Sequence, residues 1–95
     1  MTAYVLVDCD VTDPVRYEEY RRLAPAAIAQ YGGRYLVRGG ATTVLEGEWQ
    51  PKRIVVLEFP DADAARRFYD SPEYRTARAV RDGAAAMNIV VVDGV

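Results

Sequence analysis

Apolar residues first alternate with polar ones along AYVLVDCDV, Ala3 to Val11, where Ala3, Val5, Val7 and Cys9 fall on one face and Tyr4, Leu6 and Asp8 on the other. A period of two in a run rich in Val and Tyr predicts a strand. Asp13 then offers a carboxylate cap, and Pro14 suits the first helical position, where its missing N–H is not needed. Beyond it the period changes. Tyr20, Leu23, Ala24, Ala27, Ile28 and Tyr31 recur at spacings of three and four, the stripe of an amphipathic helix, with Arg21, Arg22 and Gln30 mostly off it. Pro25 lies inside this pattern and predicts a kink, because it removes one backbone bond and crowds the preceding turn.

The stretch YGGRYLVRGG, Tyr31 to Gly40, bends the backbone twice around one short apolar segment. Gly32 suits the left-handed position that ends a helix, and Arg34 to Arg38 reads as a second strand. At Gly39-Gly40 two courses are open, a hairpin or a bulge that lets the strand continue through ATTVLE. The bulge is the favoured course, with EGEWQPKR as the turn into a third strand, Arg53 to Phe59. On that course Glu46 and Arg53 face each other across the neck of a loop whose tip carries Trp49.

Pro60 stops the third strand, and Asp61 caps a short helix containing Ala64, Ala65, Phe68 and Tyr69. A further helix starts at Ser71, Pro72 and Glu73; Tyr74, Ala77, Arg78 and Arg81 share one side of it, and Gly83 can close it. MNIVVVD, Met87 to Asp93, is a fourth strand. This order is the α+β, ferredoxin-like βαββαβ plan, one domain over residues 1–95 with an antiparallel sheet and its helices on one face. IVVLEF and NIVVVD are nevertheless apolar on both faces, whereas a sheet covered on one side should alternate. Ile54, Val56 and either Val90 and Val92 or Ile89 and Val91 would face water, which predicts a homodimer with two sheets packed face to face.

Composition narrows the chemistry. Half of the chain is hydrophobic (51%) and the net charge is -2, as expected of a folded, soluble protein. The 12 basic residues are interspersed with 14 acidic ones, so the stripe of a nucleic-acid binder is missing. No apolar run approaches the roughly 20 residues that span a bilayer. The N-terminus lacks the basic region of a secretory signal, and Cys9 is the sole cysteine, so a cytoplasmic location is expected. The chain contains no histidine. That excludes a Ser-His-Asp triad, a Cys-His pair, histidine-ligated haem and the usual histidine-containing zinc sites within it. Asp8 and Asp10 lack the spacing of a calcium loop, so no metal and no cofactor is assigned.

The candidate catalytic residues are Arg38, Glu46 and Arg53. Arg38 follows Leu36 and Val37 in a strand expected to be buried, so its guanidinium needs an anion, either a ligand or Glu46, Glu58 or Asp8. Arg53 and Glu46 read as a cross-strand pair, or as a carboxylate held by arginine beside a cavity to act as base or substrate anchor. The candidate substrate-binding residues are Tyr20, Trp49, Ser71, Tyr74 and Arg81. Three of them have a plainer reading. Tyr20 fits the helical core stripe, Trp49 can cover a partner subunit instead of a ligand, and Ser71 is a helix cap. Cys9, outside this set, reads as a small buried hydrophobe.

Four stretches, YGGRYLVRGG, LEG with a nearby Trp, RIVVLEFP and SPEYRTARAVR, resemble the domain of unknown function 1330 family across almost the whole chain. That resemblance implies small members of the dimeric α/β-barrel superfamily, ferredoxin-like in fold, whose paired sheets form a barrel. It brings no settled function. The wider superfamily includes cofactor-free monooxygenases of antibiotic biosynthesis, muconolactone isomerases, haem-degrading enzymes and dye-decolourising peroxidases; for the last two this chain lacks the histidine that would hold iron. A metal- and haem-independent enzyme of small-molecule metabolism is the expected class. A non-catalytic binding protein or a structural dimerisation module is the alternative.

Overall fold

A computed structural model describes residues 1–95. Strand β1 (Ala3–Val11) is followed by α1 (Pro14–Gln30), β2 (Arg34–Arg38), β3 (Ile54–Phe59), α2 (Ala62–Asp70), α3 (Pro72–Arg81) and β4 (Ala85–Asp93). All pairings are antiparallel, in the order β2-β3-β1-β4, which is the ferredoxin-like α+β arrangement. The helices cover the face of β1 that carries Ala3, Val5, Val7 and Cys9, all buried, together with Leu57 and Phe59 of β3.

Local chemistry sets the element ends. The Asp13 carboxylate accepts from the Arg16 N–H (3.2 Å), Asp61 from the Ala64 N–H (2.7 Å) and the Ser71 hydroxyl from the Tyr74 N–H (3.1 Å), so each helix begins at the cap its sequence supplies. Gly32, at φ 83°, ends α1, and Gly83, at φ 79°, follows α3. Strand β4 starts two residues before Met87, because Ala85 and Ala86 pair with Val11 and Asp10 despite the weak strand propensity of alanine.

Some local expectations give way. Pro25 lies inside α1, and the helix's buried stripe includes Tyr17 while Leu23 stays exposed. Strand β2 does not continue beyond Gly39-Gly40. Gly39, at φ 73°, donates its N–H to Ile54 O (2.8 Å), and residues 40–53 form a long loop without strand pairing. The bulge lies earlier, at Leu36, between the Tyr35↔Leu57 and Val37↔Val56 pairs. ATTVLE is strand-like in composition, yet β3 begins only at Ile54 and leaves it nothing to pair with; Leu45 is 94% exposed. A strand needs a neighbour as well as propensity.

Cross-strand register decides which valines face outward. Val5 pairs with Val91 and Val7 with Ile89, so Ile89 and Val91 lie on the helix side, and Val90 and Val92 point to the open face beside Leu6 and Val56. Val90 is 56% exposed, and no helix of the structure is long and apolar enough to cross a membrane.

Candidate functional site

Between the covered face of the sheet and the helices lies a cavity with an apolar lining. Val5 and Val7 of β1, Leu57 of β3, Ile28 of α1, Phe68 of α2 and Ile89 of β4 supply much of its wall. Its volume is about 40 Å³, which holds roughly two or three water molecules. An outer cleft of about 280 Å³ shares Val5, Phe68, Tyr69 and Ile89 with it and extends over Ala65 and Val91. A ligand larger than a few atoms must therefore widen the inner cavity or occupy both spaces.

Cations line the inner cavity without carboxylates to match. Arg21, Arg38 and Arg53 contribute to its wall, and no aspartate or glutamate does. Arg53, directly before β3, lies over the Tyr17 ring (5.7 Å) and keeps a buried Nη1 with no hydrogen-bond partner. Arg38 is exposed, contrary to the buried position expected of it, and stacks on Tyr35 at 4.6 Å. Of its three candidate internal partners, Glu58 pairs with Arg34 and Asp8 binds Trp49 and the Lys52 N–H, while Glu46 makes no ion pair. Arg38 Nη2 donates instead to the Arg21 carbonyl at 3.4 Å. That carbonyl is the one whose helical donor would be residue 25, and proline has no N–H to give it. The proline in α1 thus frees an acceptor that helps to place Arg38.

Phenols form the rest of the polar lining. The Tyr20 and Tyr74 hydroxyls are buried and 2.6 Å apart, and Arg81 lies over the Tyr20 ring at 5.5 Å. Burial raises the pKa of Tyr17, reinforced by its hydrogen bond with Cys9, and raises that of Tyr20, reinforced by Tyr74. Tyr35 is raised as well, by burial, although Arg38 and Arg53 oppose the change. At neutral pH these hydroxyls stay protonated. They can donate to an oxygen anion but cannot serve as bases. Burial also pushes the Cys9 thiol up, so it is no ready nucleophile.

Four of the candidate residues, Arg38, Arg53, Tyr20 and Tyr74, meet at this cavity, and Arg81 lies behind Tyr20. The others stand elsewhere. Glu46 is exposed in the long loop, because the strand that would have set it opposite Arg53 does not form. Trp49 crosses to the opposite face of the sheet, where its Nε1 donates to Asp8 Oδ2 (3.0 Å) and the ring shares a hollow of about 210 Å³ with Leu6, Ile54 and Val90. The Ser71 hydroxyl donates to Phe68 O (2.7 Å) and caps α3, so its one proton is spent on the fold. Sequence reading missed Tyr17, Arg21 and Tyr35 as lining residues. Tyr17 precedes Tyr20 and Ala24 at helical spacing, which was the available signal; Arg21 carried none, being polar and off the stripe.

A family model described as domain of unknown function (DUF1330) matches residues 2–95. Among curated proteins none matches in sequence. The fold is similar to that of the RPA0582 protein of unknown function from Rhodopseudomonas palustris, with TM-score 0.79 and 18% identity over 99% of this chain and 82% of that one. It is also similar to a dimeric ferredoxin-like protein of unknown function from Jannaschia sp. CCS1, with TM-score 0.71 and 14% identity over 99% and 100% of the two chains. A third similar structure is SnoaB, a cofactor-independent oxygenase from Streptomyces nogalater, with TM-score 0.62 and 16% identity over 99% and 92%. At these identities the likeness is one of fold.

Proposed function

The chain belongs to the domain of unknown function 1330 family, and from that premise we propose that it binds a small anionic molecule with an apolar body. The observation that carries this reading is the half-buried Arg53, whose Nη1 has no partner in a cavity lined by Arg21, Arg38 and no acid. A buried donor left unmatched is costly, and a carboxylate, phenolate or enolate oxygen would satisfy it. Tyrosine rings and aliphatic side chains would hold the remainder of the ligand.

The chemistry within reach is stabilisation of negative charge on oxygen, with Arg38 and Arg53 as the electrostatic groups and neutral phenols as donors. That step is common to isomerisation through an enolate and to oxygenation without a cofactor, and the fold shared with SnoaB supports an enzyme of this kind. Glu46 has no part in it, so the proton that the substrate loses on forming its oxyanion must pass to water. The lack of any base among the lining residues favours a second reading, a non-catalytic binding protein.

Homodimerisation belongs to the same proposal. The open face carries Leu6, Val56, Val90 and Val92, and one structure of similar fold is described as dimeric. Each such side chain gains about 1.5 to 3 kcal/mol on full burial. A cytoplasmic site of action fits the single cysteine, which is unpaired.

Calorimetry and thermal shift with a panel of aromatic and unsaturated carboxylates test the ligand class. Stabilisation that disappears in Arg53→Met is the expected result. A panel that leaves the melting temperature unmoved would overturn the reading. Mass analysis of bound compounds after aerobic incubation separates enzyme from binder, since only the enzyme changes them.

A further inference from the structure

Arg81, Tyr20 and Tyr74 are not explained by one anion at Arg38 and Arg53. Tyr17 neighbours both groups: Arg53 Cζ lies 5.7 Å from the centre of its ring, and the Tyr20 ring is centred 5.4 Å from it. Two hydroxyls hold two protons, and the 2.6 Å contact between Tyr20 and Tyr74 consumes only one of them. The second O–H is buried beside the Arg81 guanidinium, which interacts with both tyrosines. Arg81 Nε is also buried and lacks a partner, and Arg81 forms no ion pair with any carboxylate. Two donors, one of them on a fixed cation, therefore stand unmatched beside the Tyr20–Tyr74 contact.

Resting on the anion-binding role given above, we propose that Tyr20, Tyr74 and Arg81 form a second oxyanion subsite. The ligand is then two-ended: a carboxylate at Arg38 and Arg53, and an ionisable hydroxyl, phenolic or enolic, at the other pole. On binding, the ligand O–H bond breaks, its proton leaves to solvent, and the electron pair stays on the oxygen, which accepts from the free tyrosine O–H, while the Arg81 charge behind Tyr20 favours the anion. No electron is transferred. The subsite acts in the manner of an oxyanion hole, by offering donors already dry and already placed. Tyr69 and Arg78, stacked at 4.2 Å, pack against Tyr74.

Benzoate, meta-hydroxybenzoate and para-hydroxybenzoate distinguish the two poles, measured with the full chain by calorimetry at about pH 7 in buffers of differing ionisation heat. At least one hydroxy acid should bind about tenfold more tightly than benzoate. Its binding should release a proton and bring up phenolate absorbance. In Tyr74→Phe and in Arg81→Met the ratio of the two affinities should fall to within about twofold, and the phenolate signal should vanish. Arg81→Met serves as the second variant should Tyr74→Phe fold poorly, because Arg81 is only half-buried. Hydroxy acids that bind no better than benzoate, or a ratio that survives both substitutions, overturn the second subsite while leaving anion binding intact. No binding of any of the three compounds overturns both.

Discussion

The Arg53 guanidinium occupies the space into which a side chain on Gly39 would project: a Cβ on that glycine would stand 2.8 Å from Arg53 Cζ. The chain leaves β2 at a left-handed residue, φ 73°, and the arginine that precedes β3 folds its head against it. Gly39→Ala should therefore act twice. The left-handed backbone costs alanine about 1 kcal/mol of stability, and the methyl group displaces Arg53. Denaturant unfolding should show that loss, and calorimetry a weaker affinity for the carboxylates that bind the unaltered chain. In an Arg53→Met background the binding effect of Gly39→Ala should disappear; a binding effect that persists there would separate the glycine from the arginine.

Pro25→Ala should separate stability from binding. Alanine restores a helical N–H for the Arg21 carbonyl and gains up to about 3 kcal/mol in helix propensity, offset by about 0.4 to 1 kcal/mol as the unfolded chain becomes more flexible. A net gain of about 1 to 2 kcal/mol is expected in denaturant unfolding. Arg38, sharing its acceptor with that N–H, should be held less firmly and bind anions less well. A variant both more stable and equally competent in binding would show that the Arg38 contact is incidental.

Alkaline pH should unfold the protein through its tyrosines. The pKa of Tyr17 and Tyr20 lies above the ordinary 10.0 in the folded state because burial disfavours the phenolate, so the unfolded chain loses these protons first. Stability from this source is complete below pH 10.0 and falls as pH rises towards the folded-state values. Unfolding midpoints followed alongside tyrosinate absorbance should show the decline. In Tyr17→Phe it should be shallower; an unchanged slope would contradict the assignment.

Val90→Asp should yield a monomer. The aspartate would set a charge at the open face beside Leu6, the residue paired with Val90, without touching the covered core. Sedimentation should then show half the wild-type mass with unchanged circular dichroism. Wild-type protein that sediments as a monomer would remove the homodimer.

Local chemistry was legible before the fold was known. The alternation of β1 and the caps at Asp13, Asp61 and Ser71 are statements about neighbouring residues, and each emerged where its residues predicted. Glu46 opposite Arg53 was different in kind. It required ATTVLE to find a strand beside it, and pairing depends on what the rest of the sheet leaves vacant. Arg38 was placed in the correct strand, but its exposure follows from β2 being an edge strand, a fact of strand order. The cavity itself was partly legible. Tyr20 and Tyr74 lay on apolar stripes, whereas Arg21 gained its role only through a proline four residues ahead.

The loop of residues 40–53 leaves one side of the sheet and touches the other. Gly39 and Arg53 bound it beside the cavity, while Trp49 is tied to Asp8 near the open face. A second subunit docking on that face would press on Trp49, and the segment it presses on ends at the residues that hold the ligand's charge. Ligand affinity should then vary with protein concentration, and by the reciprocity of linked equilibria the ligand should shift subunit association by the same factor.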